Sequence, residues 1–389
     1  MISFINFKRQ SSIYKKKILS GIDYNIKNGD FILGKNVSLL ENKISNYVKS
    51  KYCLTCSSGT DALLMSLMAH DVKKDDIIFT TVYSYISTAE VISLLGAIPI
   101  FIDIESKTYN IDPNKLEEAI NNIKKKNFTS NMPNVIKKIK KINLKGIIAV
   151  NLFGNPFEYD KINYIAKKNK LFLVEDAAQS FGAIYKNKLS GTLGDISCFS
   201  FYPTKSLSCY GDGGAITTNS KKLYNLIKSI RVHGKSNKNG NFDRLGLTGR
   251  LDSIQATVLL EKLKNFKKEQ YSRRKIAKNY VKALQKNKYV KTQKINDNSK
   301  STFSVFSLEF TNQKIKKTIL KKLKSNKIQY NVYYKKPMHL EKVFKEYNYK
   351  KSNFPIAEKL SENILCIPID PYIKKAEINK IIKTVNYEK

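Results

Sequence analysis

One lysine lies in a stretch whose residue types could do covalent chemistry. Lys205 sits within Phe199-Ser200-Phe201-Tyr202-Pro203-Thr204-Lys205-Ser206-Leu207-Ser208-Cys209-Tyr210-Gly211-Asp212-Gly213-Gly214, after a run ending in a hydroxyl and before a glycine-rich turn. A lysine amine held out of water can form a Schiff base with a carbonyl compound and then carry a proton. Such a lysine needs companions. A carboxylate must keep a ring nitrogen protonated if a bound ring is to take up electrons. A phosphate needs free N–H groups and hydroxyls, and something flat must cover the ring. The chain offers Asp176 after the apolar run Phe172-Leu173-Val174, Gly59 and Thr60 after Cys56-Ser57-Ser58, the hydroxyl of Ser200, and the ring of Tyr85.

That set is the kit required by pyridoxal 5′-phosphate (PLP). Taken singly, each member has an ordinary reading. An Asp after a strand is often a turn residue. A Ser-Gly-Thr run is often a plain helix cap. A lone lysine is usually solvated, and an aromatic near a strand end is usually core. The order of the residues along the chain carries the reading, because the elements between them have the right alternation.

Short apolar runs at 52–55, 77–79, 98–104, 147–152, 172–176, 195–201 and 215–218 alternate with helical patterns at 37–50 and 113–121. Strands alternating with helices predict an α/β protein with a mainly parallel sheet and helices on both faces. In such sheets ligands sit at the carboxyl ends of strands. Asp176, Ser200 and Lys205 fall at or just past those ends. Residues 1–35 read as a surface arm. The Lys- and Asn-rich stretch 122–145 reads as a solvated basic insertion with a short helix at 134–139. A long helix is expected from 252 to about 285. The remainder reads as a smaller α/β domain with strands at 303–310 and 330–334 and helices at 314–324 and 376–385. The expected division is a large domain over 1–250 and, over 251–389, the connecting helix with the small domain.

The sequence resembles the DegT/DnrJ/StrS sugar aminotransferases. The matching segments are Ser57-Ser58-Gly59-Thr60-Asp61-Ala62-Leu63, Gly96-Ala97-Ile98-Pro99-Ile100-Phe101-Ile102-Asp103, Val174-Glu175-Asp176-Ala177-Ala178-Gln179-Ser180, Gly194-Asp195, the Lys205 stretch, and Gly249-Arg250-Leu251-Asp252-Ser253-Ile254-Gln255-Ala256. A weaker match runs from Tyr334 to His339. The resemblance implies the aspartate-aminotransferase-like fold type I of PLP enzymes. It implies that Lys205 carries PLP, that Asp176 pairs with the pyridine nitrogen, and that Gln179 contacts the ring hydroxyl or packs on the cofactor. Gly59, Thr60 and Ser200 would bind phosphate, and Tyr85 would stack on the ring. It further implies a homodimer with shared active sites, L-glutamate as amino donor and a nucleotide-linked keto-sugar as acceptor, for surface polysaccharide biosynthesis. The segments around Phe79, Thr88 and Lys205 look most like members that aminate C3 of UDP-2-acetamido-2-deoxy-3-oxo-glucuronate. Arg250 and His339 are the candidates for contacting that acidic substrate. A 4-keto-6-deoxy nucleotide sugar is the alternative acceptor.

Two positions depart from the family. Thr248 stands where members usually have an Asn that reaches the partner subunit's phosphate; a shorter hydroxyl can still donate, so weaker cofactor binding is expected. Asn151-Leu152-Phe153-Gly154 replaces a common His-Leu-Tyr-Gly.

Composition narrows the remaining classes. Among 389 residues, Lys plus Arg number 70 and Asp plus Glu 32, a formal net charge of +38. A basic nucleic-acid-associated protein would carry such a balance. The lysines are, however, spread along the whole chain among Ile and Asn, with no arginine-rich arm, so no nucleic-acid partner is expected. The charge would still draw anionic nucleotides. No apolar run approaches about 18 residues and no signal peptide leads the chain, so a cytoplasmic protein without a membrane span is expected. Five cysteines suggest free thiols; the C-x-x-C at 53–56 lies on an extended segment whose positions three apart face opposite ways. No metal site is expected from three scattered histidines. Gly234-Lys235-Ser236 is not a phosphate loop, since Ser229 stands where the first glycine is needed. PLP dehydratases of the same fold replace the lysine by histidine, and Lys205 speaks against that chemistry.

Overall fold

The computed structural model describes residues 1–236 and 240–386. The chain begins with helices α1 (Phe7–Lys27) and α2 (Lys35–Val48). Then come β1 (Tyr52–Cys56), α3 (Gly59–Ala69), β2 (Asp76–Thr81), α4 (Ser87–Leu94), β3 (Ile98–Ile102), α5 (Pro113–Lys124), β4 (Asn143–Val150), α6 (Tyr159–Lys168) and β5 (Phe172–Asp176). A small hairpin, β6 (Ile184–Tyr185) and β7 (Lys188–Leu189), precedes β8 (Ile196–Ser200), β9 (Gly214–Thr218) and α7 (Lys221–Ile230). Helix α8 (Ser253–Leu284) leads to β10 (Val290–Thr292), β11 (Ser299–Lys300), β12 (Phe306–Phe310), α9 (Gln313–Ser325), α10 (Pro355–Asn363), β13 (Ile364–Ile367) and α11 (Lys375–Val385).

Among the described residues one sheet has seven strands in the order β1-β9-β8-β5-β4-β2-β3. Only β9 runs against the others. The strands read as continuous apolar runs because both faces are covered by helices, so alternation has no solvent side to report. One core cluster packs α5 and α6 against β2–β5; another packs α3 and α7 on the opposite face. The expected α/β architecture is therefore the observed one. A second sheet, β10-β12-β13, packs with α9 and α11 around its own cluster of Leu308, Ile319, Leu365 and Ile381.

Helix α8 supplies both parts. At about 1.5 Å per residue its 32 residues span roughly 48 Å. Ala256, Leu259 and Phe266 enter a core with α2 and β8, whereas Ile276, Ala277 and Tyr280 enter the C-terminal one.

Three expectations change. The amino-terminal arm is mostly helix: Tyr14 and Ile18, four apart on one face of α1, are buried against Val258 of α8. Its lysine-rich outer face hid that stripe. The 122–145 stretch is not simply solvated, because Met132 and Ile136 are buried in the core over α5; a short 3₁₀ turn at Asn134–Lys138 places Ile136. Residues 330–334 form no strand; a single bridge, Asn331 to Cys366, ties them to β13. The chain leaves the sheet there and turns Tyr333 and Tyr334 toward the carboxyl edge of the large sheet.

Candidate active site

Register brings the sequence motifs together. Cys56 and Ser200 both pair with Gly214, one on each side of β9. The carboxyl ends of β1 and β8 therefore flank one residue that has no side chain. A Cβ at Gly214 would collide with the Ser58 carbonyl. Ser58 caps α3, its Oγ accepting from the Asp61 amide at 3.0 Å. The first turn of α3 thus opens beside Ser200, with Gly59 and Thr60 at its free N–H end.

Gly59 is required by this close approach. A Cβ there would lie 2.7 Å from Ser200 Cβ and 3.2 Å from Ser200 Cα. Gly59→Ala is expected to push the helix start away from Ser200 and raise the PLP dissociation constant about tenfold. Absorbance titration of the cofactor-free variant measures this, and an unchanged constant would remove the phosphate-cup role.

A cavity of about 590 Å³ lies at this edge, lined by Gly59, Thr60, Tyr85, Asp176, Gln179, Ser200 and Lys205. Seven of the ten candidate residues therefore converge on one space. Asp176 is buried at the end of β5. Its Oδ2 accepts from Thr88 Oγ1 at 2.7 Å and its Oδ1 from the Ala178 amide at 3.1 Å. Burial pushes its carboxyl above the ordinary carboxylate range, while those two bonds and the Lys205 charge pull it back. Lys205 is displaced the opposite way: desolvation lowers its ammonium pKa and Asp176 opposes the shift. An amine depressed in this manner more readily offers a free electron pair.

Glu175, next in sequence, shows why Asp176 is the carboxylate in the site. Alternation turns it to the other side of the sheet. There it is fully buried and accepts bonds from Asn151, Ser190, Ser197 and the amides of Gly191 and Leu193. Asn151, the departure noted above, belongs to this network and lies outside the cavity lining. Gln179 is held at both ends, Oε1 by the Phe153 amide at 2.7 Å and Nε2 by the Tyr334 hydroxyl at 3.0 Å. With its amide so engaged, its flank is the part left to face a ligand. Tyr85 is 57% exposed, its ring tilted 6.4 Å from that of Tyr334.

The other three candidates lie elsewhere. Thr248 is exposed, its Oγ1 2.8 Å from His233 Nε2, and does not line the cavity. Arg250 is half-buried and also outside it. His339 also lies outside the cavity lining: it is 3% exposed, packs edge-on to Phe354, and its Nε2 lies 3.1 Å from Glu358 Oε1. Its neighbours Tyr333 and Tyr334, together with Thr88 beneath Asp176, are site residues that sequence reasoning missed. Thr88 had a signal, since a hydroxyl in the first turn after β2 lies at the same sheet edge.

The donor set fits PLP. The amide end of α3 and the hydroxyls of Thr60 and Ser200 line one cavity with a buried, anchored carboxylate and a lysine of lowered pKa. A more open groove of about 650 Å³, between Glu105 and Asn298, holds none of the candidate residues. Among the described residues no three His, Cys, Asp or Glu side chains could hold a metal ion, and no helix is long and apolar enough to cross a membrane.

The chain is 37% identical over 382 residues, 98% of both chains, to the UDP-2-acetamido-2-deoxy-3-oxo-D-glucuronate aminotransferase of Pseudomonas aeruginosa. It is 32% identical, over 99% of both chains, to the dTDP-3-amino-3,6-dideoxy-alpha-D-galactopyranose transaminase of Aneurinibacillus thermoaerophilus. The crystal structure of a DegT DnrJ EryC1 StrS aminotransferase from Brucella abortus superposes with a TM-score of 0.91 at 34% identity, covering 99% of this chain and 98% of that one. The model of the DegT/DnrJ/EryC1/StrS aminotransferase family matches residues 13–386. With Lys205, Asp176 and the first turn of α3 gathered at one sheet edge, the chain belongs to that family of PLP-dependent sugar aminotransferases.

Proposed function

We propose that the enzyme moves an amino group from L-glutamate to C3 of a UDP-linked 2-acetamido-2-deoxy-3-oxo-hexuronate, for surface polysaccharide biosynthesis. The observation that carries the acceptor is the 37% identity, end to end, with a relative named for that sugar. A dTDP-linked sugar, such as a 4-keto-6-deoxy one, is the second reading. The relative at 32% identity favours its dTDP nucleotide, though that relative's name places the amine at C3.

When bound, PLP supplies an electron sink for the pair left on an amino acid's α-carbon. The chain supplies the rest. Lys205 Nζ would hold the cofactor covalently and, when free, would carry the proton from the substrate carbon, work typical of a general base. Asp176, fixed by Thr88 and the Ala178 amide, keeps a proton on the ring nitrogen. The first turn of α3, Thr60 and Ser200 bind the phosphate, and Tyr85 covers the ring. The cavity is large enough to admit a sugar beside a cofactor, with Tyr85, Tyr333 and Tyr334 as its aromatic wall.

We further assign two active sites to a homodimer. Thr248 and Arg250 lie outside their own chain's cavity, and Phe242 and Leu245 in the same loop expose 68% and 88% of their surface. A second copy covering that loop would bring Thr248 to its partner's phosphate cup and Arg250 to the acidic sugar. Residues 1–250 would form the cofactor-binding domain and 251–389 the connecting helix and small domain. Five free cysteines suit a reducing cytoplasm.

The test is a panel of amino donors and UDP- and dTDP-linked keto-sugars. L-Glutamate with the UDP-3-oxo-hexuronate is expected to give the highest kcat/KM. Preference for a dTDP-4-keto-6-deoxy sugar by tenfold or more would replace the first reading with the second.

A further inference from the structure

The loop that starts at Lys205 rests on one face of α8. Gln255, Leu259 and Lys262 are spaced by four and three residues and so share that face. Gln255 grips the backbone of Tyr210 twice, Oε1 accepting from its amide at 2.9 Å and Nε2 donating to its carbonyl at 3.3 Å. Leu259 packs in the cluster holding Leu207 and Cys209. Lys262 Nζ donates to the Ser208 carbonyl at 2.8 Å and to Ser208 Oγ at 3.0 Å, and lies 4.3 Å from the centre of the Tyr210 ring.

Lys262 is an anomaly of burial. It is 3% exposed. Its hydrogen bonds go to neutral oxygens of the loop, and Glu269 favours its protonated form by charge, while burial keeps the nearby Cys209 thiol neutral. Desolvation dominates and draws its pKa down to about 8. A buried ammonium answered by neutral groups burdens a fold, and an apolar side chain of similar length usually serves stability as well or better. Its polar contacts instead all fall on one loop, three to five residues beyond the reactive lysine. Among the described residues, backbone bonds from the Lys205 amide to Tyr202 and from the Cys209 amide to Phe201 also tie the loop.

We propose that Lys262 is a positioning residue: by holding Ser208 and the ring of Tyr210 against α8, it fixes the loop so that Lys205 faces Asp176 in the cavity. This rests on Lys205 being the attachment lysine. The loop has no sheet ladder and no helix of its own over 203–210, so side chains from α8 supply the rigidity that a covalent cofactor site requires.

Lys262→Met in the full-length protein tests it. Three quantities are measured: the melting temperature without cofactor, the PLP dissociation constant, and the rate at which borohydride fixes PLP to the peptide bearing Lys205. The expected result is an unchanged or higher melting temperature together with a dissociation constant raised about tenfold and slower fixation. A dissociation constant and fixation rate within about twofold of the parent would overturn the proposal. Should the variant misfold or lose stability, Ser208→Ala removes the Oγ part of the contact from the loop side and leaves the bond to the Ser208 carbonyl. A rise of about threefold in the dissociation constant is expected there, and none would overturn the proposal. Borohydride fixation in the parent protein to a peptide without Lys205 would overturn the attachment reading itself, and is seen before any variant is made.

Discussion

Lys205→Ala is expected to yield a folded protein that loses the visible absorbance of lysine-bound PLP and at least about 10⁴-fold of its transamination rate. The size of the effect follows from two duties held by one amine. Covalent attachment orients the cofactor, and the same nitrogen later moves the substrate proton, so both fail together. Folding should survive, because burial costs the Lys205 ammonium more than the Asp176 charge returns. Desolvation lowers its pKa, with only the Asp176 charge in opposition. The sign for stability follows. Between the depressed folded pKa and the ordinary lysine value the unfolded chain binds more protons, so this group's contribution makes the cofactor-free protein more stable as pH rises through that window. The alanine variant should lack that rise. Steady-state kinetics, absorption spectra and melting curves against pH check the three statements. Retention of activity within tenfold of the parent would remove Lys205 from the mechanism.

Much of this site was legible before the fold, and the reason is local. A lysine, a strand-end carboxylate and a Gly-Thr helix start each keep their chemistry in a short stretch, and a parallel sheet delivers strand ends to one edge. Continuous apolar runs such as Ile77-Ile78-Phe79 marked buried strands without ambiguity. What stayed hidden depends on contacts far apart in sequence. Tyr334 enters the site 155 residues after Gln179, by leaving a segment whose composition reads as strand. Thr88 reaches Asp176 across 88 residues. Helix α1 was concealed because its buried stripe is narrow, one side chain per turn against α8, beneath a surface rich in lysine. The burial of His339 was hidden for a related reason. A motif fixes neighbours in sequence, but a 3₁₀ turn at Met338–Leu340 decides which way the imidazole faces, and here it faces Glu358 and Phe354.

Asp176→Asn should separate electronic control from folding. The substitution keeps shape and removes charge. The Asn oxygen can accept from the Ala178 amide, as Oδ1 does now. Its NH₂ would then meet Thr88 Oγ1, which at present donates to Oδ2. A hydroxyl can reverse its role by rotating, and Ser84 Oγ, 3.3 Å from Thr88 Oγ1, offers an acceptor for the freed hydrogen. The pocket therefore accommodates the amide without a stranded donor. A neutral amide cannot hold a proton on a ring nitrogen as a carboxylate does, so kcat should fall by at least about 10²–10³-fold, with the deprotonation of L-glutamate as the slowed step. Stability should move the other way. Because burial raises the Asp176 pKa, the folded cofactor-free protein retains a proton that the unfolded chain has released as pH climbs past the ordinary Asp range. This group's contribution to stability therefore falls as pH rises through that window and stays low at neutrality. The Asn variant escapes that loss and should melt higher than the parent at neutral pH without PLP, while the two converge in acid. With the anion gone, the Lys205 amine should titrate lower still, since Asp176 is the charge that raises it. Single-turnover absorbance with L-glutamate and melting curves from acid to neutral pH check both halves. A variant that loses activity and melts lower at every pH would instead make Asp176 a structural anchor for Thr88.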